Sequence, residues 1–159
     1  SQITGVSITQ PDVAATYDTI KQQLPTVENF GAFSSSQQVG VSQLAIEYCN
    51  ALINDTAARA DYFPGFNFGA DPATAFGGSN RNLFVDPLIA NIVGNSRTGA
   101  QIATQPSFDT VYFELAAAIT DGNRPNNLVD RLIAGGSSTE AISKGVCAAT
   151  LGSAATLVQ

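Results

Sequence analysis

The chain holds no histidine, no methionine and no tryptophan. Without His, a nitrogen-and-sulfur metal site loses its commonest ligand and a nucleophilic Ser or Cys loses its usual base. The axial ligands of covalent haem are missing with them, and no C-x-x-C-H attachment motif occurs, so no haem is expected. Charge is scarce too, at 13% of residues against about 25% in ordinary domains. The seven basic residues (Lys21, Arg59, Arg81, Arg97, Arg124, Arg131 and Lys144) are scattered among thirteen acidic ones, for a net charge of -6. Nucleic acid is therefore not an expected partner, because its binding rests on clustered Lys and Arg. No apolar run approaches the ~20 residues of a membrane span. Gly77-Gly78 is not followed by the Lys of a phosphate-binding loop. No cofactor and no metal site is expected.

Neutral polar and small residues stand where the charges would be. Such a surface repels its neighbours weakly, which suits a secreted protein or one that packs against copies of itself. A chain of 159 residues fits one domain, 1–159, which would bury roughly 70% of the surface its unfolded form exposes. It begins at Ser1, as expected of a protein whose leader is removed or of a piece of a longer chain.

Helical periodicity runs almost throughout. In "TQPDVAATYDTIKQQLP", Thr9 is a candidate N-cap, Pro11 sits in the first turn, Val13, Tyr17, Ile20 and Leu24 form a stripe, and Pro25 ends it. "SSSQQVGVSQLAIEYCNALIND" has capping-box spacing from Ser34 to Gln37 and apolar residues from Val41 to Ile53 at helical intervals. Asn54 and Asp55 can cap "TAARADYF", which Pro64-Gly65 stops. Phe66 to Asn80 reads as an ordered loop anchored by its aromatics. "SNRNLFVDPLIANIVG" reads as a helix interrupted or restarted at Asp86-Pro87 and closed by Gly94. After a polar connector, Asn95 to Thr104, a stripe of Phe108, Val111, Tyr112, Leu115 and Ile119 ends at Gly122. "RPNNLVDRLIAGG" is a short helix with Pro125 near its start. Ser137 to Glu140 repeats the capping-box spacing before a last helix rich in Ala, Gly, Ser and Thr, which allow close backbone approach to a helix of this chain or another. The expectation is an all-α, single-domain bundle of about six helices with one long ordered aromatic loop.

Cys49 lies in the second helix and Cys147 in the last. Two readings stand: buried thiols acting as small hydrophobes, or a Cys49–Cys147 disulfide pinning the last helix to the second. An even count with a neutral surface fits an oxidising compartment and favours the bridge.

Tyr62, Phe63, Phe66, Phe68 and Phe76 are candidates for a groove that stacks on a glycan or peptide. Core anchoring is the stronger reading, since Phe lacks the polar handle usual at wet surfaces. The carboxylate pairs Asp55 with Asp61 and Asp109 with Glu114 could in principle do acid-base work. At helix starts, Asp55 and Asp109 are better read as caps or dipole partners, and no catalytic residue is assigned. "DGNRPNNLVD", Asp121 to Asp130, is oxygen-rich but departs from a calcium loop in its Pro and its missing bidentate Glu, so a helix-to-helix turn is expected. Asn54-Asp55-Thr56 matches the N-glycosylation pattern, which is short and frequent by chance.

The strings "GVSQLAIEYCNALINDTAARADYFPGFNF", "FVDPLIA" and "KGVCAATLGSAATLVQ" resemble a helical region of bacterial LamG-domain-containing (concanavalin A-like) extracellular proteins, from "ITGV" at Ile3 to the last residue. There the region is similar to a segment beyond the lectin-like sandwich. The sandwich itself is absent here, so the resemblance implies no sugar-binding function. The helix bearing Tyr48-Cys49 also resembles, distantly, helical c-type cytochrome domains, whose haem ligands this chain lacks. The expectation is a non-catalytic, extracytoplasmic structural or interaction subunit whose partners are copies of itself or another cell-surface protein. A ligand-binding module using the loop 62–76, or a hydrolase working through carboxylates alone, are the alternatives.

Overall fold

A computed structural model of the chain describes residues 3–23, 35–94, 106–117, 120–121, 124–125 and 127–153. The fold is all-α. Eight α-helices are described: α1 (Pro11–Ile20), α2 (Ser35–Asn54), α3 (Thr56–Tyr62), α4 (Pro72–Ala75), α5 (Asn82–Ile92), α6 (Phe108–Ala116), α7 (Leu128–Ala134) and α8 (Thr139–Leu151). The excess over six comes partly from α4 and from the separation of α3 from α2. Two short 3-10 turns, Lys21–Gln23 and Gly78–Arg81, join them. A two-residue antiparallel pair, β1 (Thr120–Asp121) with β2 (Arg124–Pro125), places Thr120 opposite Pro125.

The helix starts follow side-chain chemistry with small shifts from the expected positions. Pro11 opens α1, so the cap falls on Gln10, whose Oε1 accepts from the Val13 N–H at 2.9 Å. Thr9, the expected cap, is one residue too early and pairs with Ser7 instead. Likewise α8 is capped by Ser138 and not by Ser137. The Ser137 N–H is already committed to the Leu132 carbonyl, and that of Gly136 to Ile133, closing α7 in a Schellman turn with Gly136 at φ 76°. Pro125 lies in β2 and not in a helix; α7 starts three residues later, where Asn127 accepts from the Asp130 N–H. Pro87 does not restart a helix, since α5 runs through it. The carbonyl that loses its partner is that of Leu83, whose side chain is 41% exposed, on the side of the helix where water can take the donor's place. Leu24, Pro25, Ser34, the connector Asn95 to Thr104, Ile119 and Gly122 lie outside the described residues.

The most extensive helix pair is α2 with α8. Small residues permit it: a Cβ placed on Gly152, just past α8, would lie 3.6 Å from the Ala45 Cβ and 3.9 Å from the Ser42 Cα. The Sγ atoms of Cys49 and Cys147 join these two helices in a disulfide with the Cα atoms 5.8 Å apart. Both half-cystines are fully buried. Around them Leu52, Ile53, Phe84, Leu88, Ile89, Ile142 and Val146 form a contiguous core that α5, α6 and α7 complete. Gly152 thus serves a contact within the chain.

Candidate functional site

Several surfaces among the described residues could hold a partner or ligand, and each is set by the helices around it. The aromatic loop is the first. Phe63, Phe66 and Phe76 are buried, at 1%, 8% and 0% exposure. They converge on Phe84 of α5, which stacks on Phe63 with centroids 4.3 Å apart and meets Phe66 at 5.1 Å and Phe76 edge-on at 5.7 Å. Half-buried Phe68 lies edge-on to Phe66, and the Arg59 guanidinium covers its ring at 4.7 Å. The Tyr62 hydroxyl donates to the Ile3 carbonyl at 3.1 Å, and burial pushes its pKa up to about 12, a hydrogen bond with Asn91 opposing the shift. Phe63, Phe66 and Phe76 are therefore core anchors, because apolar rings gain by packing on Phe84. Half-buried Tyr62 also borders a cleft of about 440 Å³ with Ile3, Asp61 and Asn91.

Backbone geometry holds this loop. Asp71 caps α4, accepting from the Thr74 N–H at 3.1 Å, and its pKa is lowered by the hydrogen bonds from Thr74. A Cβ at Gly77 would run into the Ala73 carbonyl, so only glycine fits that turn.

Two cationic latches fasten the loop and its neighbours. Arg59 donates to the Ile53 carbonyl at 3.1 Å and to Glu140 at 2.8 Å, tying α3 to α8. Arg81 donates to the carbonyls of Phe76 and Ala116 and to both oxygens of Asp130. Asn127 donates to Asp130 as well, at 2.6 Å. Burial raises the Asp130 pKa, but the hydrogen bonds from Arg81 and Asn127 outweigh it and leave the carboxyl below its ordinary value. Asp130, the last residue of the calcium-loop-like string, is thus engaged as a structural anion. Asp55 caps α3, accepting from the N–H groups of Ala57 and Ala58, as the sequence suggested. Asp109 lies in the first turn of α6, where the helix dipole favours it. No group of three or more His, Cys, Asp or Glu residues able to hold a metal ion occurs among the described residues.

The second surface is a polar cleft of about 600 Å³ between the segment Gly5–Asp12 and the C-terminal half of α2. Glu47, Asn50 and Asn54 line it from α2 and Asp55 from the turn that follows, with Ser7, Thr9, Gln10 and Asp12 from the N-terminal segment. Ser7 and Thr9 satisfy one another, and Gln10 and Asp55 are used as caps. Sequence reading missed this cleft because its residues are ordinary polar positions on an amphipathic helix, and only docking of α1 makes them converge. The third surface is an apolar cleft of about 430 Å³ on α1 and α2, lined by Ile8, Val13, Tyr17, Leu44 and Tyr48. Ile8 is 67% exposed and Tyr17 49%. Burial raises the pKa of Tyr48. A further cleft of about 410 Å³, including Thr19, Ile20, Gln43 and the exposed Ile46, also lies along α1 and α2.

No helix among the described residues is long and apolar enough to cross a membrane. No family model, no curated protein and no solved structure matches the chain.

Proposed function

We propose that this protein is a non-catalytic structural or interaction subunit that works outside the cytoplasm and associates with copies of itself through the face formed by α1 and α2. In this reading the chain acts as a single domain, and its kinship with the helical region of LamG-domain-containing proteins rests on the strings quoted above.

The observation that carries the reading is the pair of exposed apolar side chains, Ile8 and Tyr17, that border the apolar cleft on α1 and α2. Among the described residues Val39 and Ile46 of α2 are exposed as well, Ile46 beside the neighbouring cleft. Exposed apolar groups beside an apolar cleft mark an interaction site more often than scattered ones do. The shortage of charge removes the repulsion that would keep copies apart, and the buried disulfide suits an oxidising compartment.

Sedimentation velocity over a range of concentrations, with electron microscopy of the same samples, tests it. The wild type is expected to form ordered oligomers or filaments, and Tyr17→Lys to remain monomeric with unchanged far-UV circular dichroism. A wild type that stays monomeric at all concentrations overturns the proposal.

A second reading has one observation in its favour. Glu47, Asn50 and Asn54 face the 600 Å³ cleft with no side-chain hydrogen bond among the described residues, so they are free to meet a small polar ligand. Loss of binding in Asn50→Ala, for any ligand found by titration, would favour this reading over assembly.

A further inference from the structure

Cys49 and Cys147 each sit in the middle of a buried stripe. Ala45, Leu52 and Ile53 stand one turn from Cys49 on α2, Ser143 and Thr150 stand one turn from Cys147 on α8, and all five are buried. Neither half-cystine has exposed surface, and neither lines the clefts described above. A reagent that exchanges with a disulfide or a thiol must bring its own sulfur into contact with the target sulfur. In the folded chain it reaches these two only if α2 and α8 part.

The other contacts that hold α8 do not involve sulfur. Thr139 donates to the Ala70 carbonyl at 2.6 Å, and Arg59 pairs with Glu140. The buried Ser143 and Thr150 hydroxyls donate to the carbonyls of Thr139 and Val146 in their own helix, while Ile142 and Val146 belong to the contiguous core. Two reduced thiols fill the same site as small hydrophobes, so α8 has the means to close on α2 before or after oxidation.

From this burial we infer that the Cys49–Cys147 bridge is a redox record: it is set while the chain folds, and once α2 and α8 have closed neither oxidant nor reductant in the medium changes it. The co-reactant is a disulfide. One cysteine thiolate attacks it and forms a mixed disulfide with release of one thiol; the second cysteine thiolate then attacks the mixed disulfide and releases the other. The two cysteines thereby lose two electrons and two protons, and the reagent becomes two thiols. With two cysteines in the chain one intramolecular pairing exists, so an oxidant suffices and no wrong pair within the chain has to be undone. A chain that folds beside such an oxidant is stapled, and one that folds without it is a folded dithiol that keeps this state when moved to an oxidising medium. The inference is independent of the self-association proposed above.

Oxidation of the refolded dithiol tests the record. The chain is reduced in urea and refolded under nitrogen, the reductant is removed, and far-UV circular dichroism checks its helices. Oxidised glutathione is then added, and alkylation with intact-mass analysis follows formation of the bridge. In native buffer the bridge is expected to form at least ~100-fold more slowly than in denaturing urea, because exchange waits for the core to open. Dithiothreitol is expected to cut the bridge of the oxidised protein with a comparable retardation. Formation or cutting in buffer at the rate seen in urea overturns the record. A reduced chain that fails to regain its helices overturns it as well, since its thiols stay open to the medium.

Discussion

Arg81 shows how a single side chain can organise parts of the fold that are distant in sequence. It closes the end of the aromatic loop at Phe76, the end of α6 at Ala116 and the start of α7 at Asp130. Its side chain is 13% exposed and that of Asp130 27%, so removing one partner strands a poorly solvated charge. Asp130→Asn is expected to lower unfolding free energy by about 1–3 kcal/mol at neutral pH. The folded-state pKa of Asp130 is depressed, so its stabilisation is complete above the unfolded carboxylate range and is lost as pH falls through the folded value. Urea titrations of both proteins at pH 7 and in strong acid would show the difference shrinking toward zero. A difference independent of pH would mean that the carboxylate charge is not what holds the latch. The cap at Asp55 was legible from sequence because it needs only neighbouring backbone. The Arg81–Asp130 pair spans 49 residues, and no local pattern announces a contact at that range.

At the scale of elements, the aromatic loop and α5 form one unit. The sequence indicated an ordered loop anchored by its rings, and it missed Phe84, the ring around which the anchors close. Phe84 sits in an apolar stretch of α5 where one more Phe carries no special signal. Phe84→Ala is expected to cost about 3–5 kcal/mol, since its ring is fully buried and touches four other rings. Thermal or denaturant unfolding measures this, and a loss below 1 kcal/mol would show that the loop does not depend on that centre. Pro87 is the opposite case. Its local rule predicts a break, and burial of Phe84, Val85, Leu88, Ile89 and Ile92 along one helix outweighs the hydrogen bond that the proline removes.

For the molecule as a whole, the disulfide between α2 and α8 sets which parts stay together. The bridge spans 98 residues and in the chain-entropy model contributes about 4–5 kcal/mol by restricting the unfolded state. Cys49→Ala with Cys147→Ala is expected to lower stability by about that amount without changing the helical spectrum. A shift under 1 kcal/mol would show that residual unfolded structure already supplies the constraint. Because both half-cystines are buried, thiol reagents are expected to reach them only through opening of the core.

By itself the sequence determined the helical class, the limits of α2 and α3, and the cap at Asp55. These follow from periodicity, Pro and Gly placement and composition, which act over a few residues. Tertiary packing alone decided that Cys49 meets Cys147, that Phe84 gathers the loop, and that Gly152 faces α2. Each of these depends on which faces meet across long stretches of chain, where the free energy comes from burial and not from any local preference.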